Sequence, residues 1–318
     1  MSNSPTSGAG ADSIERVMRA ELSHGDAMIG TVVPIIRHLV ASDDQSVFSE
    51  EIVARTRGML EDIARQLLTA MAIVAGDGEN RDHDRRAVEP LVTAIAADPA
   101  MLAHVHALAL EWQLTERIHS RLGLDRVLSP LLQSLIASND AGTAASAMNL
   151  LAAQARFAQT QRRMQLPLRE LPADVLHGAL AVMTDRLGKD DEVADRAEQA
   201  ISTDYDESQT RLGLMARLIM GMGGGAMAAL TIDHAGVALF LTALSIANGQ
   251  DRSLTTLSTN ESQLARLALA LAAAGMKPQV VEEQFRSLHP EVSLPSGFEV
   301  LGPDQAAAIL AHGAGYPG

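Results

Sequence analysis

Residues 32–44 read VVPIIRHLVASDD, and two later stretches repeat the pattern: VEPLVTAIAADPA at residues 88–100 and LSPLLQSLIASND at residues 128–140. Each phrase has a proline third, aliphatic residues fourth, fifth and eighth, and acidic or amide residues near its end. Proline is tolerated in the first turn of a helix, where the missing N–H has no intrahelical partner. The pattern therefore predicts three short helices, each beginning near its proline and ending in a turn.

A longer apolar stretch follows each phrase, at residues 47–75, 99–122 and 143–165. Apolar residues recur in these stretches every three or four positions, which is the spacing of one helix face. A single pair of a short and a long helix cannot bury both apolar faces, so neighbouring pairs must stack. We predict an all-α fold in which residues 12–170 form stacked helical hairpins, an irregular HEAT-like repeat array. Chance similarity among leucine-rich helices is the alternative explanation.

The composition supports a helical protein and excludes several classes. Of the 318 residues, 47% are hydrophobic and 3% aromatic, cysteine is absent, and the formal net charge is −14. Without cysteine, disulfide frameworks, thiolate metal sites and cysteine nucleophiles are excluded. The acidic balance argues against a nucleic-acid partner, and the scarcity of aromatic residues argues against a β-sandwich. Because cysteine and a signal-peptide pattern are both lacking, we expect a cytoplasmic protein.

The chain changes character after residue 170. Up to that residue it carries 16 basic and 21 acidic residues, and beyond it 9 basic and 18 acidic residues. Residues 212–248 are the most apolar part of the chain. We expect residues 171–311 to form a second, acidic helical subdomain centred on this apolar stretch. The Gly- and Ser-containing ends, residues 1–11 and 312–318, are expected to be disordered tails.

Part of the second half resembles a known family. The string VALFLTALSIANGQDRSLTTL begins at Val237, and LARLALALAAAGMKPQVVEEQF follows it. The Phe-containing helix at Phe240, the Asp251-Arg252 turn and the Ala-Ala-Gly helix end at Gly275 resemble the C-terminal part of an uncharacterised alphaproteobacterial family of helical-repeat proteins. The resemblance covers about fifty residues. It implies a helical fold and no particular activity.

A local excess of positive charge is the first candidate contact surface. The arginine island, within residues 154–169, contains four arginines and no acidic residue: Arg156, Arg162, Arg163 and Arg169. Arginine binds carboxylates and phosphates well, and stacked helices offer extended surfaces to a partner's helix or peptide. We therefore expect a protein partner, no cofactor, and a non-catalytic scaffold or regulatory role. The acidic stretch at residues 190–207 is the second candidate surface, and pairing of the island with that stretch, or with solvent alone, is the alternative.

Two Glu-x-x-His pairs are the candidates for metal binding: Glu21 with His24, and Glu116 with His119. Residues three apart share a helix face, and di-iron helical bundles use such a pair on each of two helices. Helical rotation places Glu116 and His119 on the same side as Trp112, so we expect both to face inward. With 18 glutamates and 10 histidines in 318 residues, chance gives about 0.6 such pairs, so finding two is unremarkable. A di-iron-like metalloenzyme using these four residues is therefore the main alternative function.

Three weaker patterns complete the candidates. His104 and His106 lie two apart on a predicted helix, so they point in nearly opposite directions and are expected to be satisfied, partly buried histidines. The Gly-rich run from Gly221 fits a loose dinucleotide fingerprint, but a helix precedes it where a strand is required. Residues 218–248 are almost free of charge yet divided into segments too short to span a membrane. We expect a buried helical pair there, and reversible membrane association is the second alternative function.

Overall fold

The computed structural model describes residues 6–41, 50–76, 85–187 and 192–313. Within these ranges the chain forms α-helices and short 3-10 turns, and no strand occurs. The all-α fold expected from the sequence is confirmed. The α-helices, in chain order, are α1 (Thr6–Ala41), α2 (Glu50–Ala75), α3 (Arg85–Ile95), α4 (Pro99–Leu122), α5 (Pro130–Ile136), α6 (Ala141–Arg162), α7 (Ala173–Leu187), α8 (Glu192–Thr203), α9 (Arg211–Gly221), α10 (Ile232–Asn248), α11 (Arg252–Leu257), α12 (Leu264–Ala273), α13 (Pro278–Leu288) and α14 (Pro303–Leu310).

Many helix ends lie where local sequence signals place them. Asp98 precedes α4, and its Oδ1 accepts a hydrogen bond of 3.0 Å from the Ala100 amide, as an N-terminal cap does. Gly76 and Gly275 follow α2 and α12 with φ angles of +84° and +82°. Glycine adopts this left-handed conformation at little cost, so both residues end their helices.

Two of the three proline-led phrases depart from the prediction. Pro34 lies inside α1 and Pro90 lies inside α3, whereas Pro130 occupies the first turn of α5 as predicted. Both internal prolines are exposed. Water can therefore bind the carbonyl oxygen four residues earlier, which loses its helical donor. The first phrase thus belongs to a 36-residue helix rather than to a separate short one, and its residues 42–44 lie outside the described ranges.

The second and third phrases each lead into the expected pair, a short helix followed by a longer one: α3 with α4, and α5 with α6. The two segments Arg86–Ile95 and Pro99–Leu122, however, meet at 99°. Helices α3 and α4 thus form a near-right-angled corner instead of the predicted antiparallel hairpin. Pro99 explains the break, because a residue before proline is driven away from helical backbone angles. The stacked HEAT-like array itself stays a prediction.

The first helix begins earlier than its sequence signals indicate. We expected a disordered tail over residues 1–11, but α1 already includes Thr6. Ala9 and Ala11 favour a helix and Gly8 and Gly10 disfavour one, so local propensity does not explain the extension. Residues 1–5 lie outside the described ranges. At the other end, residues 312–313 form a turn, and the rest of the predicted C-terminal tail is not among the described residues.

The chain divides into two compact units that interleave along the sequence. Unit 1 comprises Met1–Val32, Leu114–Asn139 and Leu218–Pro317, and unit 2 comprises Val33–Gln113 and Asp140–Arg217 with Gly318. The division expected near residue 170 coincides with none of these boundaries. Hydrophobic periodicity identifies the face that a helix buries but does not identify the segment that covers it.

Unit 2 contains the N-terminal part of α4, up to Gln113. Every residue from Met101 to Trp112 is buried, which is the pattern of a helix surrounded by other elements. Helix α2 contacts α3 and α8, and α7 contacts α3 and α8. The buried face of α2 carries the apolar residues that its periodicity predicted, among them Met59, Leu60 and Ile63.

Unit 1 is built around α10, whose residues Val237 to Leu244 are all buried. Helix α10 contacts α5, α11, α12 and α13, and α14 covers α12. The buried helical pair expected within residues 218–248 is found only in part. Of the 3-10 turn Gly223–Leu230, which meets α10 at 111°, only Ala229 and Leu230 are buried. Within the described ranges, no single helix is long and apolar enough to cross a membrane, and two sharply bent helix pairs reach the required length and composition.

Close packing at one glycine gives a direct test of the contact between α9 and the turn before it. A Cβ added at Gly213 in α9 would collide with the carbonyl oxygen of Glu207. We expect Gly213→Ala to lower the free energy of unfolding by about 1–3 kcal/mol, because the backbone must shift. The control is Gly30→Ala in α1, where an added Cβ meets nothing within 4 Å, and a gain of about 0.5–1 kcal/mol is expected. Urea denaturation followed by circular dichroism measures both, and equal effects would contradict the prediction.

Candidate functional site

The arginine island lies at the C-terminal end of α6 and in the turn after it. Arg156 and Arg162 belong to α6, Arg163 follows its last residue, and Arg169 lies in the 3-10 turn Leu168–Glu170. All four side chains are exposed. The negative end of the helix dipole stabilises cations near a helix C-terminus. The charges of Arg162 and Arg163 are therefore favoured at this position.

A left-handed residue ends α6 and sets the direction of the chain. Met164 has φ of +55°, the Met164 amide donates to the Gln161 carbonyl at 3.1 Å, and the Gln165 amide donates to the Thr160 carbonyl at 2.9 Å. This is the hydrogen-bond pattern of a Schellman motif, usually made with glycine. Met164 packs against Gly58 of α2, where an added Cβ would lie only 2.7 Å from the Met164 Cβ. Packing thus holds a strained residue in place.

Polar side chains of α2 hold the segment that follows α6. The Asp62 Oδ2 accepts a hydrogen bond of 3.0 Å from the Leu166 amide. The Gln66 Oε1 accepts one of 3.0 Å from the Leu168 amide, and its Nε2 donates to the Leu166 carbonyl at 2.9 Å. Burial raises the pKa of Asp62, while the Leu166 amide acts in the opposite direction. These bonds satisfy backbone groups that leave the helix, so the backbone between Arg163 and Arg169 is fixed.

The arginine island has no ionic partner within the described part of unit 2. None of its four side chains forms a hydrogen bond or an ion pair with another described residue. Pairing with the acidic stretch, the alternative drawn from the sequence, is thus not seen for residues 192–207. Residues 190–191 of that stretch lie outside the described ranges. The island therefore presents four solvated guanidinium groups on an anchored backbone.

A buried ion pair joins α4 to α9 and was not anticipated from the sequence. The Arg211 guanidinium donates to both carboxylate oxygens of Glu111 at 2.7 and 3.0 Å, and to the Gln154 Oε1 at 3.0 Å. It also lies over the Phe157 ring, 3.6 Å from the centroid. The side chains of Glu111 and Arg211 are 1% and 3% exposed. Because solvent does not reach these charges, we interpret the pair as a structural ion pair that holds α4 and α9 together.

The two histidines of α4 are more deeply buried than expected. His104 and His106 are 7% and 6% exposed. The Nδ1 of His106 has no hydrogen-bond partner among the described residues, so the expectation of a satisfied, partly buried histidine is wrong for this residue. Burial lowers the pKa of His106 to about 4. Its ring is therefore neutral at pH 7 and packs as an apolar group.

The two Glu-x-x-His pairs are not brought together into a metal-binding group. Glu21 and His24 are exposed on α1. The Glu116 carboxylate accepts hydrogen bonds of 2.5 and 2.7 Å from Arg126, and the His119 Nδ1 lies 2.7 Å from the Leu124 carbonyl oxygen. Glu116 and His119, expected to face inward, are half-buried and hold the loop after α4. Across the described ranges, no group of three or more potential metal ligands occurs.

The Gly-rich run after α9 lacks the context of a nucleotide site. Gly221 ends α9, and Gly223 turns the chain with φ of +52°. The element before the run is a helix, as predicted, whereas a dinucleotide fingerprint requires a strand. The run therefore ends α9 at Gly221 and opens the 3-10 turn Gly223–Leu230.

Comparisons of the chain with protein-family models, with curated proteins and with solved structures return no match. The resemblance of the segment beginning at Val237 to a helical-repeat family therefore stays a prediction.

Proposed function

We propose that this protein is a non-catalytic cytoplasmic scaffold or regulatory interaction module, and that it binds an acidic protein segment through the arginine island. The observation that carries the proposal is the set of four exposed guanidinium groups without an ionic partner in the described part of unit 2. A guanidinium group has a planar fork of donors that matches the two oxygens of a carboxylate. An acidic segment is therefore the partner chemistry that the island fits.

The exposed face of α6 extends this surface towards the N-terminus of the helix. Ala145, Met148, Ala152, Arg156 and Gln159 are all exposed and follow one another at helical spacing. Met148 is 51% exposed. Small residues with one flexible apolar side chain allow a second helix to approach closely. An amphipathic acidic helix can thus contact the apolar part of α6 and the island together.

The expected binding is moderate in affinity and sensitive to salt. Exposed ion pairs contribute about 0.2–1 kcal/mol each, and salt screens them. The bonds from Asp62 and Gln66 fix the island's backbone in advance, so less ordering free energy is lost on binding. Because the whole chain carries a net charge of −14, an acidic partner is repelled except near the island. This repulsion favours one binding orientation.

Charge reversal tests the proposal. The probe is a fluorescent amphipathic helical peptide with glutamate on its polar face, and anisotropy at low salt measures its binding. Arg162→Glu/Arg163→Glu is expected to weaken binding about tenfold or more, since a loss of about 1.4 kcal/mol has that effect.

The matched control, Arg19→Glu/Arg286→Glu, changes the net charge equally at two arginines of unit 1, whose side chains are 39% and 63% exposed. It should bind the peptide like the wild type, apart from a small general repulsion. Equal binding by the wild type and the island variant would refute the proposed function.

A further inference from the structure

We infer that the acidic partner is a second copy of this chain, in which the acidic segment, residues 192–207, contacts the arginine island of the first copy. The inference rests on the proposed function and names the partner of the same surface. It is carried by two exposed patches of opposite sign within unit 2.

The acidic segment has a charge that complements the island. It contains six acidic residues and one arginine, giving −6 + 1 = −5, whereas the island contains four arginines and no acidic residue, giving +4. Five of the six acidic residues are exposed. They are Glu192, Asp195, Asp204, Asp206 and Glu207. The two patches are therefore nearly equal in magnitude and opposite in sign.

The fold turns the acidic face of α8 outward. Ala194 and Ala197 are buried, and α8 contacts α2 and α7. Its outward face carries Glu192 and Asp195, and Asp204 follows the helix. The carboxylates of these three residues form no hydrogen bond or ion pair with a described residue. Charged groups of both patches are thus available to another molecule.

A second copy is the partner that satisfies both patches at once. In a two-fold symmetric dimer each contact occurs twice, so the island of each copy meets the acidic segment of the other. Doubling the contacts offsets the low strength of each exposed pair. Most other approaches bring two surfaces of a −14 chain together and are repelled. Opposite charge therefore favours contact between the arginine island of one copy and the acidic segment of the other.

The first experiment measures the mass in solution by light scattering over a dilution series of the full chain. In about 0.05 M salt, where exposed charges are weakly screened, we expect the mass to rise with concentration from 33.7 kDa towards twice that value. In about 0.5 M salt the mass should return to that of one chain, because screening removes exposed ion pairs. A single-chain mass throughout the low-salt series would overturn the inference.

A charge-swap experiment identifies the contact. Arg162→Glu/Arg163→Glu reverses the island, and Asp195→Lys/Asp204→Lys reverses the acidic segment. Each variant alone is expected to remain a single chain at low salt. An equal mixture should restore the dimer, because the reversed island of one variant then contacts the reversed acidic segment of the other, and the two unchanged patches contact each other. Arg19→Glu/Arg286→Glu, the control, should dimerise. Circular dichroism verifies that each variant is folded.

The outcomes separate this inference from the proposed function. A mixture that fails to associate would overturn the inference, as would dimerisation of either variant alone at the wild-type level. If the wild type binds the acidic peptide but stays a single chain, the proposed function stands and the second copy is excluded as the partner. If neither association nor peptide binding depends on Arg162 and Arg163, both proposals fail.

Discussion

Acidification is expected to lower the free energy of unfolding of unit 2 by about 3 kcal/mol through His106 alone, since each unit of pKa shift corresponds to about 1.4 kcal/mol. In the folded state burial lowers the pKa of His106 to about 4, whereas an unfolded chain restores the ordinary value of 6.5. Between these values the unfolded chain binds a proton that the folded chain does not bind. The contribution of the neutral His106 ring to the free energy of unfolding is therefore fully present above pH 6.5 and is lost as the pH falls towards 4.

The measurement uses the single tryptophan of the chain, Trp112, which is 4% exposed on the same helix as His106. Urea unfolding followed by its fluorescence, repeated at several pH values, reports on unit 2. His106→Leu should flatten the pH dependence over this window, because it removes the titrating ring and its unpartnered Nδ1. His24→Leu, on the exposed face of α1, is the control and should leave it unchanged. An unaltered slope in His106→Leu would disprove the assignment.

Removal of Arg211 is expected to cost about 3–5 kcal/mol, the typical effect of breaking a buried ion pair from one side. Arg211→Met leaves the Glu111 carboxylate, 1% exposed, without the two hydrogen bonds that Arg211 donates. It also removes a donor from the Gln154 Oε1. A buried carboxylate that loses two charge-assisted hydrogen bonds is stabilised less than before, and this destabilises the folded state.

A double-mutant cycle separates the charge effect from packing. Glu111→Leu/Arg211→Met removes both charges, and we expect it to be more stable than Arg211→Met alone, because an apolar pair can replace a buried ion pair. Arg286→Met breaks an exposed pair with Glu282 and should change the stability by less than about 0.5 kcal/mol. Urea unfolding measures the wild type, the single variants Glu111→Leu and Arg211→Met, the double variant and the control Arg286→Met. Additive single effects, or a loss in Arg211→Met no larger than in Arg286→Met, would show that the pair is not a coupled buried unit.

Local signals in the sequence were sufficient for the fold class and for many helix ends. The Asp98 cap and the left-handed glycines after α2 and α12 act within one helical turn, so the nearby residues decide them. Whether Pro34 begins a helix or lies inside one depends instead on how far the surrounding helix extends. The interleaving of the units depends on contacts between distant segments. Periodicity predicts which face of a helix is buried, but it does not predict which segment of the chain packs against that face.

The charges of the candidate site were predictable from the sequence, but the hydrogen bonds that hold its backbone were not. A run containing four arginines and no carboxylate indicates an exposed surface. The anchoring bonds from Asp62 and Gln66 join residues about a hundred positions apart, and no local pattern specifies them. The Glu111–Arg211 pair likewise spans 100 positions. Its one sequence signal was Glu111 itself, the sole acidic residue within the apolar run from Met101 to Trp112.

The interleaved units have a consequence for synthesis on the ribosome. The apolar stripe of α1, with Ile14, Met18 and Leu22, is buried in unit 1, but the large last segment of that unit begins only at Leu218. At roughly 5–20 residues per second, translation from Val32 to Leu218 takes on the order of ten to forty seconds. During that interval the stripe lacks its final covering. The folding of unit 1 can therefore be completed only after its C-terminal helices have been made.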